Sequence, residues 1–299
     1  MVARRIVVAC ATVLCFASQV GATDSIAQTG PTYLSSWDNY LIPLGILTDT
    51  QCNSYVINQY GMIAKYDANG ALLTTILPEP VSTTFEGYGL GFASDGSILA
   101  TQANGPKVRR YSQAGALIAE WPTDSYVTYL AVDQFDNVYV TEPVLNKVRK
   151  FALNGTLLTE WAVQDPTGIC LSGGFVYVAG HSTALVSRFL PDGAPAGTFS
   201  TGADKADQLA ADTAGNLYLG HAGDGELQCF TSTGALLWTL GPVIAGYSPD
   251  HPVRMTCVAV CADGVVLAGD YYNQRVLKFA PLATAARRQS WGRVKALYR

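Results

Sequence analysis

Six aromatic residues punctuate this chain at near-equal intervals: Tyr66, Tyr111, Phe151, Phe189, Phe230 and Phe279, spaced by 45, 40, 38, 41 and 49 positions. Four residues after each of the first five stands a glycine: Gly70, Gly115, Gly155, Gly193 and Gly234. A basic residue immediately precedes five of the six anchors: Lys65, Arg110, Lys150, Arg188 and Lys278. Self-similarity at a period near 40 residues, built from short β-type runs, marks a solenoid or a propeller. The length of 299 residues would allow two ordinary domains, but the repeat assigns it to one closed ring.

Each unit reads as four short strands, most clearly in blade three. Tyr129–Asp133 is an inner strand, and a turn at Phe135-Asp136-Asn137 leads to Val138–Thr141. A loop from Glu142 to Lys147 precedes a third strand ending at Phe151, and Asn154-Gly155 turns the chain into an outer strand, Leu157–Trp161. Asp, Asn and Gly occupy the turns because they tolerate positive φ or bond their own backbone. The sequence therefore predicts an all-β fold, a six-bladed β-propeller of four-stranded antiparallel blades over residues 44–280. Blade six departs from the pattern, with Ala283 where the glycine belongs. Tyr33-Leu-Ser-Ser-Trp37 is similar to Thr156-Leu-Leu-Thr-Glu-Trp161, so residues 23–43 are expected to supply an N-terminal outer strand that closes the ring. Closure matters because it removes sheet edges that would template aggregation.

The segment Asp270-Tyr-Tyr-Asn-Gln-Arg-Val-Leu-Lys-Phe279 resembles the core of an NHL repeat, as does Leu130-Ala-Val-Asp133 followed by Asn137-Val-Tyr-Val140. The resemblance runs through all six units and is best in blade six. It implies a six-bladed propeller of a family whose members are mostly binding platforms. A minority of related propellers are lyases or metal-dependent lactone hydrolases.

The two ends read differently from the body. Arg4 and Arg5, the apolar run Ile6–Ala17 and the small residues Val20-Gly21-Ala22 have the order of a secretory signal peptide, residues 1–22, cleaved after Ala22. The expected location is secreted, periplasmic or extracellular. The apolar run is shorter than the roughly 20 residues a transmembrane helix needs, and no other stretch qualifies. Loss of Arg4 and Arg5 takes the formal net charge from −4 to −6. Residues 281–299 form a basic tail carrying Arg287, Arg288, Arg293, Lys295 and Arg299. The body is thus acidic and lacks the electrostatic footprint of a nucleic-acid binder. A monomer is expected.

Five cysteines follow the leader: Cys52, Cys170, Cys229, Cys257 and Cys261. No CxxC pair is present, and the odd number leaves at least one thiol unpaired within the chain. Cys52 and Cys261 fall near the first turns of blades that become neighbours on closure, and export permits oxidation, so a disulfide between them is expected. Cys257 and Cys261 lie about 13 Å apart along a strand, beyond the roughly 7 Å limit for a bridge.

The residue nine before each anchor starts the loop that rises on the channel-mouth face: Ile57, Gln102, Glu142, Gly180, His221 and Asp270. His181 is one position past it in blade four, and His251 lies in the long connection before blade six. Polar groups converging on a channel mouth make a binding site, so Gln102, Glu142, His181, His221, His251 and Asp270 form the expected ligand-binding set. The leading reading needs no cofactor. In the alternative, His181, His221 and His251 hold zinc, or carboxylates hold calcium, as imidazole and oxygen ligands allow. Asp270, Asn273 and Arg275 also read as loop stabilisers. No nucleophile elbow, phosphate loop or zincin motif appears. The function expected is a non-enzymatic scaffold that binds a protein, peptide, glycan or small ligand at the channel mouth. The alternatives are a metal-dependent lyase or lactonase-like hydrolase at the central channel, and a surface-attached structural protein using the basic tail.

Export makes a direct prediction. Intact-mass analysis of the exported protein should give a chain beginning at Thr23 or within a few residues of it, and a mass that retains Met1 would refute the leader assignment.

Overall fold

A computed structural model describes residues 31–38, 42–76, 87–202, 205–223, 225–241 and 254–281. The leader, His251 and the tail beyond residue 281 lie outside them. Twenty-four strands form six four-stranded antiparallel sheets arranged as a β-propeller. In blade three the strands are Leu130–Val132, Val138–Glu142, Lys147–Phe151 and Leu157–Ala162, counted outward from the channel. Tyr33–Asp38 pairs with Arg275–Phe279 as the outer strand of blade six, with Trp37 opposite Val276. The N-terminal strand therefore closes the ring.

The hydrophobic core is divided into six clusters, and each draws on two adjacent blades. Leu99, Trp121, Val140 and Phe151, for example, fill the space between blades two and three. Sheets buried on both faces need little surface polarity, which accounts for a chain that is 49% hydrophobic and 14% charged. At the seam between blades one and six, Cys52 and Cys261 form a disulfide with a Cα–Cα distance of 5.2 Å. Cys170, Cys229 and Cys257 are buried thiols.

The anchor-to-glycine spacing has a mechanical cause. After Phe151 the chain turns through Ala152–Gly155, closed by Gly155 N donating to Ala152 O at 2.9 Å and Ala152 N donating to Thr156 O at 2.8 Å. The pairing register shifts by one residue at the anchor, so the turn needs a left-handed residue, and Gly155 has φ +86°. Space is the second reason. A Cβ at Gly155 would stand 2.7 Å from Cβ of Trp121, the outer-strand aromatic of the preceding blade. Trp37 covers Gly70, Trp161 covers Gly193 and Phe199 covers Gly234 in the same way. Each of these rings also meets the anchor of the blade it covers: Trp37–Tyr66 at 6.1 Å, Trp121–Phe151 at 6.3 Å, Trp161–Phe189 at 5.7 Å and Phe199–Phe230 at 5.4 Å between centroids. The basic residue before the anchor lies over a second-strand ring in three blades: Lys65 over Tyr55, Lys150 over Tyr139 and Arg188 over Phe175. In blade two Arg110 instead pairs with Asp95.

The first turns use a different device. Asp133 Oδ1 accepts from Phe135 N and Asn137 N, while Oδ2 accepts from Asn137 Nδ2 and Tyr139 OH. Asp212 repeats the set with Ala214, Asn216 and Tyr218. These side chains satisfy the backbone of the turn and hold it against the blade.

Substituting Gly155→Ala should cost about 2–4 kcal/mol, from overpacking against Trp121 and a left-handed φ on a residue with a Cβ. Gly173→Ala meets no heavy atom within 4 Å and tests the φ contribution alone. Urea denaturation of both variants should place Gly155→Ala clearly below Gly173→Ala. Deleting Pro31–Asp38 should lower the melting temperature of the whole domain, because it removes Trp37 and exposes the edge of blade six.

Candidate functional site

Inner strands begin on the channel-mouth face, and in each blade one residue at the strand start or up to two positions ahead of it points inward there. Those six residues, one per blade, are Leu44, Tyr88, Thr128, Thr167, Asp207 and Thr256, and all line one cavity of about 400 Å³. The next position inward is Gly45, Gly89, Tyr129, Gly168, Gln208 and Cys257. Glycine is required at three of them because neighbouring strands touch: a Cβ at Gly45 would collide with the Tyr88 carbonyl, and one at Gly89 would stand 2.5 Å from Leu130 N. The axial space so gained is filled by Tyr129 and Gln208. Tyr129 OH lies 3.2 Å from Leu44 O and 2.9 Å from Thr256 O, donating across the channel from blade three to blades one and six. Gln208 accepts from Ile46 N at 3.3 Å and donates to Ile46 O at 3.0 Å. Together they separate the upper cavity from a lower one of about 340 Å³ between the far ends of the inner strands.

Hydroxyls stitch the wall. Thr101 donates to Thr128 O at 2.6 Å, Thr141 to Thr167 O at 2.8 Å, Thr167 to Ala206 O at 2.8 Å and Thr256 to Pro43 O at 2.8 Å. Each bond joins one blade to the next, so the cavity is built on a rigid ring. Tyr126, Asp165 and Arg254 precede their inner strands and add to the lining, as do Pro143, His181 and Tyr271 from the loops within blades.

The lining is aromatic with a few opposed charges. Tyr88 packs edge-on against Tyr126 and Tyr129, with centroids 6.0 and 6.1 Å apart. Burial raises all three phenols above their ordinary value, so they remain neutral hydrogen-bond donors. A one-residue bulge between Ala206 and Leu209 sends Asp207 to the upper cavity and Gln208 to the lower. Burial pushes the Asp207 carboxyl up to about 7, against an opposing pull from the Arg254 guanidinium. His181 Nδ1 is 3.7 Å from Asp207 Oδ1 and 3.3 Å from Ala206 O. Arg254 lies over the Tyr271 ring at 4.6 Å.

Of the residues expected from the sequence, His181 lines this cavity. Glu142, His221 and Asp270 do not; they are fully buried one layer out. Glu142 lies 3.4 Å from Arg149 Nη1, and burial raises its carboxyl. His221 Nε2 is 2.9 Å from Gln228 Oε1. Asp270 Oδ2 accepts from Asn273 Nδ2 at 2.8 Å and Arg275 Nε at 3.0 Å, the loop-stabilising arrangement. Gln102 donates to Asn104 O within its own loop. His251 lies outside the described residues. The physical reason is parity. These positions end a second strand, so their side chains pack against a neighbouring blade, and the following residue turns to the mouth. Pro143 after Glu142 and Tyr271 after Asp270 are such following residues, as is His181 after Gly180 in blade four. Among the described residues no histidine joins a cluster of three potential metal ligands, and the cluster present is Cys52, Cys261 and Asp263. His181 and His221 thus do not form a metal set by themselves.

Tyr88, Tyr126, Tyr129, Asp207, Arg254 and Tyr271 were not singled out from the sequence. The signal available was a bulky or charged residue at inner-strand positions where other blades carry Thr or Gly. Reading it needs strand starts aligned to one residue, and those strands are as short as Leu90–Phe92.

No protein-family profile matches the chain, and no curated protein sequence matches it. Solved structures share its fold. A catalytically inactive virginiamycin B lyase from Staphylococcus aureus, determined with quinupristin, superposes with a TM-score of 0.63 at 14% identity, covering 82% of this chain and 97% of that one. U3-55K gives 0.61 at 14% identity over 81% and 79%, and a streptogramin B lyase gives 0.59 at 16% over 79% and 78%. At such identities the likeness extends to the fold.

Asp207 makes a pH prediction. Its folded value near 7 stands above the unfolded value of about 3.9, so the ionised form is the penalised one. Its penalty is absent below about pH 4, grows up to pH 7 and is then constant. Asp207→Asn should therefore gain stability over the parent protein as pH rises from 4 to 7, by up to about 4 kcal/mol at 1.36 kcal/mol per unit. A difference independent of pH in paired denaturation series would contradict the buried-carboxyl assignment.

Proposed function

We propose that this protein is a non-enzymatic binding propeller whose upper cavity takes a small ligand with an apolar or aromatic body and a few polar groups. The observation that carries this reading is convergence: all six blades send side chains, from the start of the inner strand or just ahead of it, into a single cavity. Its volume lies within the roughly 300–1,000 Å³ of small-molecule sites, and four tyrosines with Asp207, His181 and Arg254 give the mix of apolar wall and sparse polar groups such sites use. Export to an oxidising compartment, where the Cys52–Cys261 bond would persist, is consistent with a protein that captures a solute outside the cytoplasm.

A second reading is an enzyme of the lyase or hydrolase type working in the same cavity. The observation favouring it is the His181–Asp207 pair, an imidazole beside a carboxyl whose affinity for its proton lies near neutrality. The two readings differ in what becomes of the ligand.

Ligand-observed NMR of a fragment collection tests the site. Fragments that bind should lose at least tenfold in affinity with Tyr271→Ala at the mouth. They should be unaffected by Phe135→Ala, which is 75% exposed on the opposite face. Binders recovered unchanged support the scaffold, and binders converted by the protein but not by His181→Ala support the enzyme. Loss of binding with Phe135→Ala instead would move the site to the other face.

A further inference from the structure

Many buried or half-buried charged side chains in this protein meet an opposite charge. Arg149 meets Asp124 at 2.9 Å, Arg275 meets Asp270 at 3.0 Å, Arg109 meets Glu120 at 3.1 Å and Lys147 meets Asp124 at 3.0 Å. Two groups that line the upper cavity, Asp207 and Arg254, lack such a partner among the described residues, while Asp165 beside them accepts a hydrogen bond from Ser182 N. Asp207 is only 15% exposed, yet among the described residues its carboxylate accepts no hydrogen bond and pairs with no lysine or arginine. His181 Nδ1 at 3.7 Å is beyond hydrogen-bond reach and is 3.3 Å from the Ala206 carbonyl, to which it can donate. Arg254 forms no ion pair among the described residues, and its Nε is buried without an acceptor. Its only side-chain partner there is the face of Tyr271.

These two groups bear opposite charge and feel each other across the cavity, since Arg254 lowers the proton affinity of Asp207. They nevertheless stay apart. A buried charge left unpaired is costly, and a cation and an anion facing one cavity are normally brought together. Here they are held separately, Asp207 by the bulge in the blade-five inner strand and Arg254 by stacking ahead of the blade-six strand. Tyr88, whose phenol senses both charges, lines the same cavity and packs against Tyr126.

A ligand bearing a single charge fits this arrangement poorly. An amine drawn to Asp207 enters a cavity that already holds the Arg254 cation. A carboxylate drawn to Arg254 faces Asp207. Only a molecule with both charges, spaced to reach each, meets no opposing charge and satisfies the buried Nε. From this we infer that the upper cavity recognises a zwitterion of amino-acid or dipeptide size, its ammonium set against Asp207 and its carboxylate against the Arg254 guanidinium, with the side chain among the tyrosines. Guanidinium and carboxylate form charge-assisted, often two-pronged hydrogen bonds, and tyrosine faces favour a neighbouring ammonium. This rests on the upper cavity being a ligand site.

Isothermal titration calorimetry on the whole exported protein provides the test. The probes are phenylalanine, leucine and glycylphenylalanine, with phenethylamine and 3-phenylpropionate as the analogues of phenylalanine that keep one charge each. At least one zwitterion should bind, the one-charge analogues should bind at least tenfold more weakly, and Asp207→Asn and Arg254→Gln should each weaken the zwitterion by tenfold or more. Both variants are first checked for an intact melting transition. The inference is overturned if no zwitterion binds at ~10 mM, or if phenethylamine or 3-phenylpropionate binds as well as phenylalanine. It also fails if a bound zwitterion is indifferent to both substitutions. Tyr271-dependent binding of neutral or singly charged fragments, with no binding of the zwitterions, would leave the cavity a ligand site while rejecting this ligand class.

Discussion

At four of the six seams a blade is held to its neighbour by an aromatic ring lying on a glycine. The ring comes from the outer strand of one blade and the glycine from the last turn of the next, where a side chain would occupy the same space. The ring also meets the next anchor, so one contact fixes both the separation and the tilt of two sheets. Aromatic pairs of this kind add directional preference to area burial. The arrangement recurs at four seams and reaches across the chain ends, where Trp37 of the N-terminal strand covers Gly70 of blade one. Without the strand Tyr33–Asp38 blade one would lose its cover and blade six its outer strand, so this segment completes the circle at two places.

What happens on the axis follows from that spacing. Six sheets set at a fixed separation bring their inner strands so close that glycine is needed where they touch. The channel is then narrow enough for two side chains to span it, and Tyr129 and Gln208 do so by bonding to backbone groups of other blades. A plugged channel has two separate mouths. The upper one collects the first inward residues of all six strands and is walled by threonine hydroxyls that bond from blade to blade. Side chains mounted on strands tied in this way lose little freedom on binding, which favours affinity.

The distribution of charge separates scaffold from site. Elsewhere acids and bases meet each other, acids serve turns, as Asp133 and Asp212 do, or bases bond carbonyls, as Lys150, Arg188 and Lys278 do. Natural proteins tend to break their own local rules where function demands it. The unmatched pair Asp207 and Arg254 is such a break, and it lies in the cavity to which every blade contributes. Propellers of this shape include lyases and U3-55K, so the fold leaves chemistry open and the side chains at the mouth decide it.

The repeat, the four-strand plan of each blade and the closing strand were all legible in the sequence, because they depend on local chemistry. A left-handed turn needs its glycine, an Asx turn its aspartate and a strand its alternating apolar residues, and each leaves a mark at a fixed offset. That His181 would rise on the channel-mouth face was legible as well, and it lines the upper cavity. The side chains of the site were not. Glu142 and Asp270 stand one residue short of Pro143 and Tyr271, which line the cavity, and in a β-strand one residue reverses the direction of a side chain. Asp207 and Arg254, separated by 47 positions, carry no common motif. Their meeting depends on a bulge, a ring diameter and a closed circle, and those exist only when six blades have packed.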